Sequence, residues 1–164
     1  MRNKSFAQIH CSLARSLEVM GDWWSPLVLR DLYLGLDRFD QLVADLGISR
    51  NLLTDRLATL VDAGLVQREA YQDRPVRYAY NLTEAGRELV PVLLALTAWG
   101  DRWATPEDGP PIRFRHDTCG HTTTPTVCCS ECGDPLSTST VTPQRGPGGR
   151  TAPGTALIAT VVTS

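Results

Sequence analysis

The chain has 164 residues, of which 42% are hydrophobic and 21% are charged, and its formal net charge is −2. This length holds one full domain with a small appendage, and the slightly acidic balance argues against a protein that binds nucleic acid through bulk positive charge. The first residues contain no apolar leader, and no apolar run approaches the roughly 20 residues that span a bilayer. We therefore expect a cytoplasmic protein without membrane contacts.

An enzyme is a competing class, and the sequence offers little support for it. The chain has three histidines, of which His116 and His121 lie among cysteines. No Ser–His–Asp spacing, phosphate-cradling glycine loop or paired carboxylates are recognisable in the sequence. We predict that the protein is not an enzyme.

Two short amphipathic helices are predicted near the N-terminus. Ser12 is the expected cap of the first, SLARSLEVMG. Ser25 is the expected cap of the second, SPLVLRDLYLG, and Pro26 then occupies the first helical position, where proline is favoured. Both helices supply apolar residues to a common core.

The stretch from Arg38 to Gly64 is typical of two helices joined by a tight turn. Gly47 suits the left-handed residue that ends a helix, and the Ser49 hydroxyl suits the cap of the next one. Leucines at helical spacing form one apolar arc of the second helix: Leu53, Leu57 and Leu60. In a helix-turn-helix this second helix offers its first turns to the DNA major groove. Ordinary helix packing has the same pattern, so the stretch alone leaves both interpretations open.

The residues after Gly64 favour the DNA-binding interpretation. Leu65 to Tyr71 and Val76 to Leu82 each alternate apolar and polar side chains, and the letters QDRP between them predict a turn. The result is a β-hairpin with Arg74 at its tip and Arg77 on its return strand. A helix-turn-helix followed by a basic hairpin is the winged-helix arrangement, in which the wing lies over the DNA backbone or minor groove.

A long helix is predicted from Thr83 to Trp103, and Pro91 should kink it or remove one backbone hydrogen bond. Its apolar face is wider than one small domain requires and contains Leu89, Val92, Leu93, Leu96, Trp99 and Trp103. We favour a homodimer in which a second copy covers this face. The alternative is that the helix caps the core of its own monomer.

These elements predict an α+β, mainly helical fold: a winged helix-turn-helix domain with a C-terminal dimerisation helix and a small zinc-ribbon-like appendage. The predicted boundaries are residues 1–104 for the winged-helix and dimerisation domain, 105–136 for a ribbon-like Cys/His segment, and 137–164 for a tail. The tail is rich in Ser, Thr, Gly and Pro, and this composition predicts disorder.

Four of the five cysteines fall between residues 119 and 132, which in a cytosolic chain favours free thiols or metal ligands over disulfides. The letters HDTCG and CSECG share one form: a ligand, two residues, a cysteine and a glycine. Two such knuckles supply the four ligands of one structural zinc. The predicted ligands are His116, Cys119, Cys129 and Cys132, and His121 or Cys128 could replace one of them. The open alternative is a degenerate ribbon without metal.

Three segments carry a resemblance to a known family: CSLARSLEVMGDWWSPLVLRDLYLG, RFDQLVADLGISRNLLTDRLATLVDAGLVQRE and RPVRYAYNLTEAGRELVPVLLALTAWG. Their shared features are a cysteine before the first helix, a G-x-W near its end, I-S-x-x-L-L-T-x-R-L and Y-x-L-T-E-x-G. From Cys11 to about Gly100, the chain resembles the HxlR-type family of bacterial winged-helix transcriptional regulators. It departs from the family at Asp22 and Trp24, where lysine and then threonine or serine are usual. The resemblance implies a DNA-binding homodimer that is held through terminal helices and acts near its own promoter.

Carried over residue by residue, the resemblance implies DNA contacts from Ser49, Arg50, Asn51, Thr54, Arg56, Arg74 and Arg77. Arg and Asn side chains read base edges with two hydrogen bonds, whereas Ser and Thr suit phosphates. Arg56 projects nearer the apolar side of its helix, so we rank it below Arg50 and Asn51. A pairing of Arg56 with Asp31 or Asp45 stays open.

Cys11 lies at the start of the first helix, where the positive end of the helix dipole favours a thiolate. Several HxlR-like regulators sense oxidants or electrophiles through a cysteine in this place, so the resemblance makes Cys11 a candidate sensor. The alternative is a small buried residue packed beside Trp23.

We therefore predict a sequence-specific transcriptional regulator that binds a pseudo-palindromic operator in double-stranded DNA as a homodimer. One alternative is a protein-interaction adaptor that uses the ribbon and the tail. Another is a thiol-based redox sensor that acts through Cys11. No pattern in the sequence indicates the operator, the effector or the choice between repression and activation.

Overall fold

The computed structural model of the chain describes residues 5–158 and residue 162. The helices in chain order are α1 (Ser12–Met20), α2 (Ser25–Tyr33), α3 (Phe39–Leu46), α4 (Arg50–Asp62), α5 (Glu84–Glu88) and α6 (Val90–Trp103). The strands are β1 (Val66–Asp73), β2 (Val76–Leu82), β3 (Phe114–Arg115) and β4 (Thr122–Thr123). The winged helix-turn-helix order predicted from the sequence, α3–α4–β1–β2, is confirmed. Within the described residues, no helix has the length and apolar character needed to cross a membrane.

The chain divides into two compact units. The first contains Met1–Arg87 and Thr142–Ser164, and the second contains Glu88–Val141. This division differs from the boundaries predicted from the sequence, which lie after residues 104 and 136. The three predicted domains stay a prediction. The disorder expected of residues 137–164 also stays a prediction, and the described part of that segment has mainly turns and irregular backbone.

The core of the first unit lies between α2, α3, α4 and the start of β1. Its fully buried apolar side chains include Val28, Leu29, Leu42, Leu53, Leu60 and Val66. The predicted arc of α4 is confirmed, because Leu53, Leu57 and Leu60 are 0%, 2% and 0% exposed. Burial of each leucine side chain contributes about 1.5–3 kcal/mol to folding. The arc therefore fixes which face of α4 remains in solvent.

The first two helices begin differently from the prediction. Cys11, and not Ser12, is the N-cap of α1, and its side chain makes no capping hydrogen bond. Ser25 is the first residue of α2 and not its cap. The Asp22 carboxylate takes the capping role, since its Oδ1 accepts hydrogen bonds from the backbone N–H groups of Trp24 and Ser25 at 2.8 and 2.9 Å.

The wing is the predicted hairpin, and the segment before α3 pairs with it, which the sequence did not indicate. β1 and β2 pair antiparallel, and the register shifts at Tyr71, where a β-bulge increases the local twist. The residues before α3 lie along β2: the Tyr80 N–H donates to the Asp37 carbonyl at 2.8 Å, and Arg38 lies opposite Ala79. This pairing ties the entry of α3 to the wing.

The predicted helix from Thr83 to Trp103 is two helices, separated at Leu89. Pro91 has no N–H to donate to the carbonyl of Arg87, so the backbone cannot continue as one helix. Thr83 precedes α5 and caps it, because its hydroxyl accepts a hydrogen bond from the Gly86 N–H at 3.2 Å. The prediction of a single long helix is thus wrong, while the predicted interruption of the backbone hydrogen bonds at Pro91 is confirmed.

Gly86 is required by a close approach between α5 and the residue before β1. A Cβ atom at this position would lie 2.1 Å from the carbonyl oxygen of Leu65, nearer than a real Cβ contact. The final glycine of Y-x-L-T-E-x-G therefore has a steric reason.

The second unit contains α6 and the Cys/His segment. β3 and β4 form a two-residue antiparallel ladder. Between residues 105 and 141, all of which the structure describes, no side chain is buried. The segment has no apolar core of its own.

Candidate nucleic-acid interface

α4 presents its first turns to solvent. Gly47 ends α3 with a φ of 62°, and the Ser49 hydroxyl accepts a hydrogen bond from the Leu52 N–H at 3.3 Å. Both predicted cap residues are confirmed. The exposed side chains that follow the cap are Arg50, Asn51 and Thr54, so these three predicted contact residues are free to meet a ligand from solvent.

Arg50 is held loosely by its neighbours. Its Nη1 lies 2.7 Å from Oδ1 of Asp40, and its guanidinium lies 4.9 Å from the centroid of the Phe39 ring. The side chains of Arg50 and Asp40 are 65% and 70% exposed. Exposed ion pairs contribute about 0–1 kcal/mol. Arg50 can therefore exchange Asp40 for a phosphate or a base edge at little cost.

The wing carries the other two predicted basic contacts. Arg74 lies in the turn between β1 and β2, and Arg77 lies on β2, both exposed. Arg68 lies with its guanidinium 4.9 Å from the centroid of the Tyr78 ring. The hairpin thus presents guanidinium groups and an aromatic ring on the same strands.

Arg38 is a basic residue of this surface that the sequence analysis did not select. Its guanidinium lies 3.7 Å from the centroid of the Tyr71 ring, which is a close cation–π contact. Its Nε also pairs with Asp37 at 3.2 Å. The pairing of the segment before α3 with β2 places Arg38 beside the wing.

A cleft of about 280 Å³ lies between the start of α3, the start of α4 and the wing. We define the α4–wing cleft by the residues that line it: Arg38, Phe39, Asp40, Arg50, Tyr71, Val76, Arg77, Tyr78 and Tyr80. Three arginines face one aspartate in this cleft, so its charge is positive. It brings together Arg50 and Arg77, whereas Ser49, Asn51, Thr54 and Arg74 lie outside its lining.

The sequence analysis selected only Arg50 and Arg77 among the nine lining residues, and the basic and tyrosine side chains that it missed are Arg38, Tyr71, Tyr78 and Tyr80. A signal existed for two of them, since Tyr78 and Tyr80 alternate along β2 after Arg77, and aromatic side chains interleaved with basic ones are typical of nucleic-acid surfaces. Arg38 and Tyr71 meet only through a strand pairing and a bulge. No local pattern indicates that contact.

Arg56 points away from the other predicted contacts. Its Nη1 pairs with Oδ2 of Asp22 at 3.2 Å, and both side chains are mostly buried. The suggested pairing with Asp31 or Asp45 is wrong, because Arg30 binds both of those carboxylates, at 2.6 and 3.2 Å. Arg56 ties α4 to the start of α2.

The pKa of Asp22 lies below its ordinary value. Partial burial raises the pKa of this carboxyl, but the Ser25 hydroxyl, the N–H groups of Ser25 and Trp24, and the Arg56 charge outweigh burial. Each of these groups favours the carboxylate. Asp22 therefore caps α2 and pairs with α4 in its charged form.

Asp31 shows the opposite behaviour. Burial raises the pKa of its carboxyl, the Arg30 guanidinium opposes that shift, and Asp45 adds to it. Its Oδ2 is buried and lacks a hydrogen-bond partner within the described part of the chain. Asp31 thus binds Arg30 through Oδ1 alone.

Cys11 lies beside a cavity of about 630 Å³, lined by His10 to Ser12, Arg15 and residues of the tail, chiefly 144–150. The tail reaches this place through hydrogen bonds from the backbone N–H of His10 to Pro153 at 2.9 Å and between His10 Nε2 and the Gly148 carbonyl at 2.8 Å. Trp23 is 90% exposed. The alternative that Cys11 is buried beside Trp23 therefore finds no support.

The Cys/His segment holds its predicted ligands as two pairs. His116 Nδ1 lies 3.4 Å from Cys119 Sγ, and Cys129 accepts hydrogen bonds from Cys132 and from the Glu131 N–H. The backbone N–H of Cys132, more than the other donors, lowers the pKa of the Cys129 thiol. In the ranges that the structure describes, no three His, Cys, Asp or Glu side chains are grouped as a metal site.

Residues 19–108 match the model of the HxlR-like helix-turn-helix family, which is more than half of the chain. The chain belongs to the HxlR-like helix-turn-helix family. A relative of this HxlR-like chain is the HTH-type transcriptional regulator Rv3095 of Mycobacterium tuberculosis H37Rv, 44% identical over 137 residues that cover 84% of this chain and 87% of that protein.

Solved structures resemble the HxlR-like chain as well. PA1607, described as a proposed transcription factor, matches with a TM-score of 0.75 and 32% identity over 87% of this chain and all of that one. The redox regulator HypR in its reduced form matches with a TM-score of 0.53 and 31% identity over 56% of this chain and 92% of that one. The predictions of a winged helix-turn-helix fold and of an HxlR-type transcriptional regulator that binds DNA are confirmed.

Proposed function

We propose that this HxlR-like regulator binds a pseudo-palindromic operator as a homodimer, with α4 in the major groove and the wing over the adjacent backbone. The α4–wing cleft carries the proposal. Its three arginines and three tyrosines adjoin the exposed first turns of α4, so one continuous surface offers base-reading and phosphate-binding groups.

The predicted contact residues take different roles in this proposal. Arg50 and Asn51 read base edges, since both are exposed at the start of α4 and can form two hydrogen bonds to one base. Ser49 and Thr54 face phosphates. Arg56 is reassigned from contact to positioning residue, because its pairing with Asp22 holds α4 against the start of α2.

The wing contacts are electrostatic. Arg74 at the tip, and Arg38 and Arg77 at the α4–wing cleft, each suit one phosphate, and such contacts add affinity without sequence preference. The Tyr71 ring holds the Arg38 guanidinium in place at this cleft.

The homodimer is proposed from the exposed face of α6. Val92, Leu96, Trp99 and Trp103 recur at intervals of four, three and four residues, and each is between 52% and 66% exposed. This spacing makes one straight apolar seam of the kind that packs against a second helix. A second copy of the chain supplies an identical seam, and a two-fold dimer matches a pseudo-palindromic site.

A second candidate function is a redox response through Cys11 that modulates DNA binding. It is supported by the likeness to the redox regulator HypR and by the place of Cys11 on a cavity beside α1. We also propose that the protein acts in the cytoplasm without a catalytic step. The adaptor alternative has no comparable surface in its favour.

The proposal is tested by selecting operator DNA from a random duplex pool with the purified full chain. We expect a pseudo-palindromic consensus whose half-sites are roughly 34–36 Å apart, or a multiple of that distance. The double variant Arg50→Ala with Asn51→Ala should enrich no consensus, while Glu88→Gln, outside the cleft, should enrich the same one. If the unmodified chain enriches all sequences equally, it selects no operator. That result would contradict the proposed regulator and favour the adaptor function.

A further inference from the structure

The two Cys/His turns are duplicates in structure as well as in sequence. In the first, the His116 N–H donates to the His121 carbonyl at 2.9 Å, and the Gly120 N–H donates to the His116 carbonyl at 2.7 Å. In the second, the Cys129 N–H donates to the Asp134 carbonyl at 2.8 Å, and the Gly133 N–H donates to the Cys129 carbonyl at 2.9 Å. Both turns therefore have the same hydrogen-bond pattern.

The glycine that closes each turn has the same conformation. Gly120 has a φ of 74° and Gly133 has a φ of 77°, values in the left-handed region that favour glycine. This conformation returns the chain antiparallel to its entry, as β3 with β4 after the first turn and as the bridge between Cys128 and Pro135 after the second. The two turns therefore hold two candidate ligands each, at equivalent positions.

The structure also distinguishes between the possible ligands. His116 Nδ1 lies 3.4 Å from Cys119 Sγ, so the first turn brings its two candidate ligands together. His121 contributes its backbone carbonyl to the end of the first turn, and Cys128 directly precedes the second turn. His121 and Cys128 flank the two turns, while His116, Cys119, Cys129 and Cys132 lie at equivalent positions within them.

From this duplication we infer that His116, Cys119, Cys129 and Cys132 bind one tetrahedral divalent zinc ion, which joins the two turns. Each turn supplies two ligands. In the described residues the two pairs are not grouped into one site, and zinc would bring them together. Zinc binding displaces the three thiol protons to solvent and leaves three thiolates and one neutral imidazole on the metal. No atom changes its oxidation state when zinc binds, so no oxidant or reductant is needed.

The absence of a core explains why metal would be required. Residues 105–141 bury no side chain, and a segment of this size without an apolar core needs a metal, a disulfide or a partner to hold one shape. Zinc binding supplies folding free energy to such segments. This inference concerns the second unit and stands or falls independently of DNA binding.

The test is metal analysis of the full chain, purified with reductant and without chelator from zinc-supplemented cells. We expect close to one zinc per chain for the unmodified protein and for Cys11→Ser, Cys128→Ser and His121→Ala. We expect less than about a tenth of that content for Cys119→Ser, Cys129→Ser and Cys132→Ser, because each variant keeps only three of the four ligands of a closed tetrahedral site.

A second measurement guards against misfolded variants. Titration of the metal-free, unmodified chain with Co²⁺ should produce the absorption bands of a tetrahedral site with thiolate-to-cobalt charge transfer, and Zn²⁺ should remove them. Protease cleavage between residues 112 and 137 should slow when zinc is added. A chain without zinc and without tetrahedral cobalt bands overturns the inference, as does a Cys132→Ser variant that binds zinc as tightly as Cys128→Ser.

Discussion

Arg50 and Asp40 join the first turns of α4 and α3 through an ion pair of 2.7 Å at the edge of the α4–wing cleft. Because both side chains are exposed, the pair orients the arginine more than it stabilises the fold. A substitution of Arg50 therefore changes two things at once, the proposed DNA contact and the contact with Asp40. Within the part of the chain that the structure describes, the Asn51 side chain makes no comparable ion pair or hydrogen bond, which makes Asn51 the cleaner probe of base reading.

Asn51→Ala should cost on the order of 1–3 kcal/mol at the selected operator and relax the preference for one base pair, because a two-bond contact to a base edge is lost. Arg74→Ala should weaken binding to the operator and to unrelated DNA equally. It should also reduce the slope of log affinity against log salt concentration by about 1, the value for one phosphate contact. Both are measured by fluorescence anisotropy with operator and scrambled duplexes at several salt concentrations. If Asn51→Ala keeps its full selectivity, the proposed orientation of α4 is wrong.

The α6 seam predicts a dimer that charge can break. Leu96→Glu should shift the protein from about twice the mass of one chain to a single chain, since a carboxylate in the seam would lose its hydration without a partner. Sedimentation equilibrium measures the mass. Leu136→Glu is the matched control, an exposed leucine of the same unit outside α6, and should remain dimeric. A monomeric unmodified chain at micromolar concentration would remove the dimer from the proposal.

The Asp22 cap predicts a pH-dependent stability. The pKa of Asp22 is lower in the folded state than in the unfolded state, so the unfolded state takes up the proton first as the pH falls. The contribution of Asp22 is present above the unfolded pKa and is lost as the pH falls through the folded pKa. The unmodified chain should lose this part of its stability on acidification, and Asp22→Asn should not.

Two variants separate the cap from the charge. Asp22→Ala should lower the free energy of unfolding by about 0.5–2 kcal/mol, because the first N–H groups of α2 lose their acceptor. Asp22→Asn keeps a hydrogen-bond acceptor but loses the ion pair with Arg56. Its free energy of unfolding should therefore lie between those of the unmodified chain and Asp22→Ala. Urea unfolding of all three proteins across the acidic range provides the comparison. Parallel pH profiles for Asp22→Asn and the unmodified chain would show that the charge contributes nothing.

The redox candidate predicts that mild peroxide weakens operator binding by the unmodified chain and not by Cys11→Ser. The basal affinity of Cys11→Ser should be unchanged, because the Cys11 side chain makes no capping hydrogen bond. Cys128→Ser serves as the control and should respond as the unmodified chain does. An equal response of Cys11→Ser would assign oxidation to the Cys/His segment instead. DNA binding before and after added thiol is the measurement.

Sequence reasoning succeeded where one local rule decided the outcome. The arc of Leu53, Leu57 and Leu60 follows from helical periodicity, and the turn at Gly47 and Ser49 follows from backbone conformation and capping. The hairpin around Arg74 follows from alternation and turn composition. In each case the residues that interact are close in the chain, so their spacing alone contains the information.

The tertiary structure decided what depends on residues distant in sequence. Asp22 and Arg56 are 34 positions apart, and only the packing of α4 on the start of α2 shows that this arginine is used internally. Arg38 reaches Tyr71 because a short segment before α3 pairs with β2, and the α4–wing cleft exists only through that pairing. The sequence by itself determined the family, the helix-turn-helix and the wing. Packing between distant elements determined which arginines line the α4–wing cleft and which pair internally, because contact between them depends on backbone pairing that no local pattern encodes.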